Sequence, residues 1–286
     1  MIWYEGRRQW WGCALTGFFA AFAAASELPA LSLVGLLGLG LLCKWPRQTL
    51  LFGLPAVLLV GAAALGTNYA AHRTIWPAYH YRQTGEDWQT NNWYNYTYQV
   101  GDRTIPSYWK KDTSSVNVRS TVDQGEPSRG LYILHCLIGH HGIFSLTPIW
   151  LFSLAGVLVM LRGPPQSGQD RALQGDGASQ ESGESLRAAG ILVGTLSLTC
   201  LLFYLTRGTE NRNYGGLTSG LRWMFWLAPL WLLAMIPVAD WSAGSRSRRI
   251  LAMFLLAFSV LSASYPTWNP WSHPWITHWL RHLDWM

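Results

Sequence analysis

The chain has 286 residues and a formal net charge of +6, and it is 50% hydrophobic but only 13% charged. A water-soluble domain carries nearer a quarter charged residues, so the composition points to a membrane. The basic residues are scattered rather than clustered, which excludes a nucleic-acid footprint. The charge suits anionic lipid or a phosphate-bearing ligand instead. The 18 tryptophans agree, because Trp concentrates where membrane meets water. Mean hydropathy is only +0.11, so apolar runs must alternate with polar loops. Cys13, Cys43, Cys136 and Cys200 show no CxxC spacing and read as small hydrophobes, not as a disulfide framework or a zinc site.

A crossing helix needs about 20 apolar residues. Residues 10–43 would run about 50 Å as one helix at about 1.5 Å per residue, too long for one crossing. Glu27 and Pro29 interrupt the middle, which predicts two spans joined by a tight turn at Ser26-Glu27-Leu28-Pro29. Arg7, Arg8 and Ala23-Ala24-Ala25 also fit a cleaved signal sequence, but a second apolar run follows at once. Further spans are expected at 48–71, 143–161, 188–206, 221–239 and 250–265, making seven. Arg7, Arg8, Lys44, Arg47, Arg162, Arg171, Arg187, Arg246, Arg248 and Arg249 then fall on one side, which the positive-inside rule makes cytoplasmic. The expected orientation is a cytoplasmic N-terminus and an extracytoplasmic C-terminus in an inner membrane. Residues 72–142, 207–220 and 266–286, with all eight histidines, lie outside.

The predicted divisions are a three-span part (1–71), an aromatic-rich outer loop (72–142), a fourth span (143–162), a linker (163–187), a second three-span part (188–265) and a Trp-rich tail (266–286). In the outer loop, aromatics alternate across Trp93–Tyr98 before a Gly101-Asp102 break, the pattern of a β-hairpin with one aromatic face. That face suits a membrane surface, or stacking on sugar rings. Residues 127–139 read as a short interfacial helix stopped by Gly139. His135, His140 and His141 form an outer polar cluster. A spacing of five puts His135 and His140 on different helix faces, so hydrogen bonding to backbone or lipid phosphate is expected, with no metal and no cofactor. Thr147-Pro148 predicts the start of the fourth span. Residues 163–187 have no aromatic residue and are rich in Gly, Ser and Gln, a flexible linker without a core. In the tail, Trp268, Trp271, Trp275 and Trp279 form one stripe if helical, an interfacial anchor. His278 and His282 have a zinc-compatible spacing but no third ligand nearby.

Two places carry candidate chemistry. In ENRNYGGLTSGLRWMFW (210–226), Ser219 is a candidate cap for a helix opening at Gly220 and Leu221. Its positive dipole end, the Gly215 and Gly216 amides, and Arg207, Arg212 and Arg222 would form an anion site. Lipid phosphate, or the phosphate of a lipid-linked substrate, is the ligand at that depth; anchoring against ordinary headgroups is the equal alternative. Glu27, at an outer turn, is either a catalytic carboxylate or a cap for the helix beginning at Pro29.

Four segments together resemble bacterial polytopic membrane glycosyltransferases of the GT-C superfold, close to their uncharacterised members. GFFAAFAAASELPALSL (17–33) resembles the small-residue helix that runs to a charged residue and proline at an outer turn. TNYAAHRTIWPAY (67–79) looks like the end of a later span. HHGIFSLTPIWLFSLAG (140–156) is similar to the Gly-Leu-Phe…Ser-Pro…Leu beginning of a span. NYGGLTSGLRWMFWLAPLWLL (213–233) resembles the Tyr-Gly-Gly…Gly-Pro-Arg segment, with Leu221 in place of the proline. The resemblance implies sugar transfer from a polyprenyl-phosphate donor at the extracytoplasmic face, with an acidic base in the first long outer loop. This chain lacks that loop, so an absent N-terminal catalytic part or a reduced protein is expected, with Glu27 as the remaining candidate base. The partners implied are membrane lipid and a polyprenyl-phosphate-linked sugar. The alternative is a non-catalytic multi-pass protein binding a partner or glycan, favoured by the lack of a carboxylate pair, Ser-His-Asp signature or Walker motif.

Overall fold

The computed structural model describes residues 9–76, 97–100, 102–106, 126, 128–163, 176–208, 212–215, 218–269 and 272–285. The chain forms two compact units, residues 1–118 and 119–286, both helical. Among the described residues, four helices are long and apolar enough to cross a membrane: Pro46–Ala71, Gly183–Leu205, Arg222–Ala243 and Arg246–Trp268. Three apolar helices are shorter, Trp10–Ser26, Leu28–Lys44 and Trp150–Arg162. Their outward faces carry exposed Leu, Phe, Ile and Met side chains, for example Leu51, Leu58, Phe254 and Leu261. Surfaces of this kind are stable against lipid, not water. The protein is an all-α integral membrane protein whose apolar helices contact lipid.

In the first unit, α1 (Gln9–Ser26) and α2 (Leu31–Lys44) are separated by a 3₁₀ turn at Leu28–Ala30. The break falls where Pro29 removes a donor. The Glu27 side chain does not cap the turn; its backbone carbonyl accepts from Ala30 N at 2.9 Å. Glu27 thus occupies the N-cap position of the turn without a capping hydrogen bond from its side chain. A turn at Pro46–Gln48 and a π-helical segment, Thr49–Gly53, lead into α3 (Leu54–His72). Gly17 of α1 lies against the Gly53 carbonyl, where a Cβ would clash. Small residues let two backbones meet this closely, a usual way to join helices in lipid. Strands β1 (Thr97–Val100) and β2 (Arg103–Pro106) pair antiparallel, Tyr98 opposite Ile105. Trp93, Tyr94 and Tyr96 of the expected aromatic face lie outside the described residues.

The second unit contains α4 (Arg129–Leu137), α5 (Ile143–Leu146), α6 (Trp150–Arg162), α7 (Asp176–Leu205), α8 (Ala228–Ala243), α9 (Arg246–Ser264) and α10 (Trp275–His282). Gly156 of α6 presses on the Ala234 carbonyl of α8, and Gly190 and Gly194 of α7 face Met160 and Val157 of α6. Polar groups reinforce these crossings. Ser153 Oγ donates to the Trp231 carbonyl at 2.9 Å, Trp231 Nε1 to Ser197 Oγ at 2.8 Å, and Ile149 N to Ser259 Oγ at 3.0 Å. Helices α6 and α8 start at one end of this unit, and α7 and α9 finish there. The described residues of segments 126–149, 206–221 and 265–282 therefore gather at that end, while Arg162, Arg246, Arg248 and Arg249 lie at the other.

Three expectations need correction. The expected linker is not irregular throughout, because α7 begins at Asp176. Glu184, Leu186, Arg187, Ala188 and Ala189 are good helix formers and extend the apolar span outward; residues 164–175 lie outside the described residues. Ser219 caps no helix. Residues Arg222–Leu227 are a 3₁₀ segment with Leu221 at its N-cap position, and Ser219 Oγ donates instead to the Ser272 carbonyl at 3.0 Å. Nor do the tail tryptophans share one helix. Trp268 ends a 3₁₀ turn, Asn269 is extended, and α10 starts at Trp275 after Pro274, as the prolines at 270 and 274 require. Trp275 Nε1 donates inward to Ser262 Oγ at 2.8 Å, and Trp271 lies outside the described residues.

Candidate functional site

The gathered end of the second unit is built around one short helix. Ser128 caps α4, its Oγ accepting from Leu131 N at 3.4 Å. The helix stops at Leu137, and the chain reverses through Gly139 and Gly142. A Cβ on Gly139 would collide with the His135 ring and backbone, so only glycine turns here. Gly139 N donates to the Leu134 carbonyl at 2.9 Å, and Gly142 N to the Gly139 carbonyl at 3.1 Å. Because the helix ends between them, His135 and His140 are not kept apart as their spacing implies. Their ring centroids are 4.0 Å apart.

His140 and His141 are both buried, 4% and 3% exposed, and their Nδ1 atoms are hydrogen-bonded to each other. Tyr214 stacks flat on His141, centroids 3.9 Å apart with planes at 4°. Its edge-on neighbours are His140 at 5.4 Å and, at a tilt, Tyr132 at 5.5 Å. His273 from the tail meets His141 at 5.9 Å. Tyr132 OH donates to the Asn213 carbonyl at 2.7 Å, tying α4 to the Tyr-Gly-Gly turn. Residues far apart in sequence thus share one buried polar centre.

Burial sets the charge of this centre. It lowers the pKa of His135 against the opposing pull of Glu126, and it lowers those of His141 and His273; that of His140 falls to about 4, with His135, His273 and Arg281 adding to burial. Burial thus favours the neutral imidazole over the charged one. Burial raises the Tyr132 and Tyr214 phenols, keeping them protonated, and pushes the Cys136 thiol up to about 12. Cys136 is a buried thiol, not a nucleophile.

The arginine and amide cluster is largely engaged within the protein. Arg212 is buried; its Nε donates to the Arg207 carbonyl at 3.3 Å and its Nη1 to the Glu126 carbonyl at 3.1 Å. Glu126 N donates back to the Arg212 carbonyl at 3.2 Å. Gly215 N, in a residue with φ of +97°, donates to Asn213 Oδ1 at 3.0 Å. Arg222 N donates to the Tyr214 carbonyl at 3.2 Å, and Trp223 N to Tyr204 OH at 2.8 Å. Of the two glycine amides expected to face an anion, that of Gly215 is therefore already bonded. Arg207 lies over the Phe203 and Trp223 rings at 4.9 and 5.3 Å, and its buried Nε has no hydrogen-bond partner among the described residues. Gly216 lies outside the described residues. Glu27 belongs to the first unit.

An apolar cleft of about 150 Å³ opens beside the polar centre, lined by His141, Ile143, Leu146, Ser219, Met224 and Trp231 among others. Glu126, Tyr132, Tyr204 and His273 were not singled out by sequence. No local pattern marks them, since each joins the centre through a contact between distant segments. No family model, curated protein or solved structure matches the chain.

Proposed function

We propose that this is a seven-span inner-membrane protein of GT-C-like build that engages a polyprenyl-phosphate-linked sugar at its extracytoplasmic end. The N-terminus would be cytoplasmic and the C-terminus outside. The observation that carries the reading is the adjacency of an apolar cleft to a buried polar centre in the second unit. A polyprenyl chain suits the cleft, and a sugar phosphate suits the polar end. Arg207 and Arg222 are the cations proposed to meet the phosphate. The order of the four GT-C-like segments adds support, as does the basic end opposite the polar one.

The test uses the full chain in lipid nanodiscs with a radiolabelled sugar on a polyprenyl phosphate. Binding is expected, and Gly220→Trp, which fills the cleft, should weaken it about tenfold. Arg222→Ala should abolish sugar transfer while insertion is unchanged. Equal binding by wild type and Gly220→Trp would overturn the reading. A second reading, a non-catalytic protein binding a glycan or partner, is favoured by one observation: Arg212 and the Gly215 amide are already satisfied internally. Binding without turnover would select it.

A further inference from the structure

Glu126, His135 and His140 each offer a ligand atom within 4.8 Å of the others. A carboxylate oxygen and two imidazole nitrogens are the donor set of many divalent transition-metal sites. In a tetrahedral site with bonds of about 2.0–2.1 Å, donors stand about 3.4 Å apart, so the three groups need to draw in only slightly from the 4.8 Å within which they lie.

Two further observations point to a ligand here. The first is unmet bonding capacity. His140 Nε2 and His135 Nδ1 are buried without a hydrogen-bond partner among the described residues. Buried polar atoms are nearly always paired, and each orphan calls for an explanation. The second is the pairing behind His140. Its Nδ1 is hydrogen-bonded to His141 Nδ1, so Nε2 is the ring nitrogen left over, and it points away from His141. Metal-ligating histidines generally hold their second nitrogen in a hydrogen bond of this kind. His141 is such an outer partner, and Tyr214 stacked on it holds its ring plane.

We propose that Glu126, His135 and His140 bind a divalent transition-metal ion of the zinc class, with His141 as the positioning residue behind His140. Three protein donors leave a fourth position open to water or to an oxygen ligand. The site stands independently of the sugar-transfer reading, because it needs neither the cleft nor the arginines.

The experiment uses the full untagged chain with Cys43→Ser, purified in detergent, stripped with chelator and titrated with Co²⁺ and Zn²⁺. One equivalent of Co²⁺ should bind with visible absorption typical of a low-coordinate nitrogen and oxygen site, and Zn²⁺ should displace it. Glu126→Gln, nearly isosteric, and His140→Asn should each weaken binding at least about tenfold. His141→Gln should weaken it about 10–100-fold, the usual range for an outer-shell partner. His278→Asn, at an exposed position of α10, should bind as wild type. The thermal midpoint of each stripped variant reports folding, and Glu126→Gln should keep the wild-type value. Less than one equivalent in the wild type, or wild-type affinity in a folded Glu126→Gln protein, would overturn the site.

Discussion

The two units join their helices in the same way but bury different things. In the first, Gly17 meets Gly53 backbone to backbone, and Thr49 is the only buried polar side chain among its described residues. In the second, Gly156 meets Ala234 just as closely, yet His140, His141, Arg212, Thr218 and Thr277 are also buried. Close packing through small residues holds helices together in lipid without polar groups. Buried imidazoles and a guanidinium add nothing that such packing requires, and ionisable groups at membrane depth are costly. Among the described residues, the buried imidazole and guanidinium side chains therefore belong to the second unit and not to the first.

The comparison can be broken most severely at the helix crossing. Gly156→Leu should cost about 3 kcal/mol, because its Cβ overlaps the Ala234 carbonyl. Gly35→Leu should cost nothing measurable, as nothing lies within 4 Å of that position. Detergent-unfolding curves read both, and equal losses would refute the contrast. Tyr204→Phe comes next. It removes the acceptor of Trp223 N and the donor to the Tyr214 carbonyl, and leaving a buried amide unpaired costs about 1–3 kcal/mol. Ser197→Ala, which deprives Trp231 Nε1 of its acceptor, should cost about 0.6 kcal/mol, the average for such bonds between membrane helices.

The smallest effect concerns pH. The folded pKa of His273 lies below its ordinary 6.5, through burial first and then Arg281 and His278. As pH falls through 6.5 the unfolded chain takes up the proton first, so stability declines on the acid side. His273→Asn should make the fall in thermal midpoint below pH 6.5 shallower. An unchanged slope would mean that His273 is solvated.

Much of the helical plan was legible in the sequence. The break at Leu28–Ala30 follows from Pro29, the reversal at Gly139 from glycine, and the four long helices from their apolar length. The ends were less so. Asp176–Arg187 looked like linker because its composition is polar, yet a helix propagates outward from an apolar span into residues with adequate propensity. Ser219 looked like a cap because it precedes a helix, but its hydroxyl finds the Ser272 carbonyl across 53 residues. His135 and His140 looked separate because five residues is the wrong helical spacing, and the helix ends between them. The polar centre was visible only as a set of polar residues near span ends. Which of them touch is decided by the packing of α6, α7, α8 and α9, and no local window contains that information.

The account depends on segments 126–149, 206–221 and 265–282 sharing one side of the membrane. In a Cys43→Ser background, Ile138→Cys, Gly208→Cys and Asp284→Cys, all at exposed positions, can be treated with a membrane-impermeant maleimide on sealed, oriented vesicles. All three should label from one face, with Ser247→Cys labelling only from the other. Labelling of Asp284→Cys from the same face as Ser247→Cys would contradict the account.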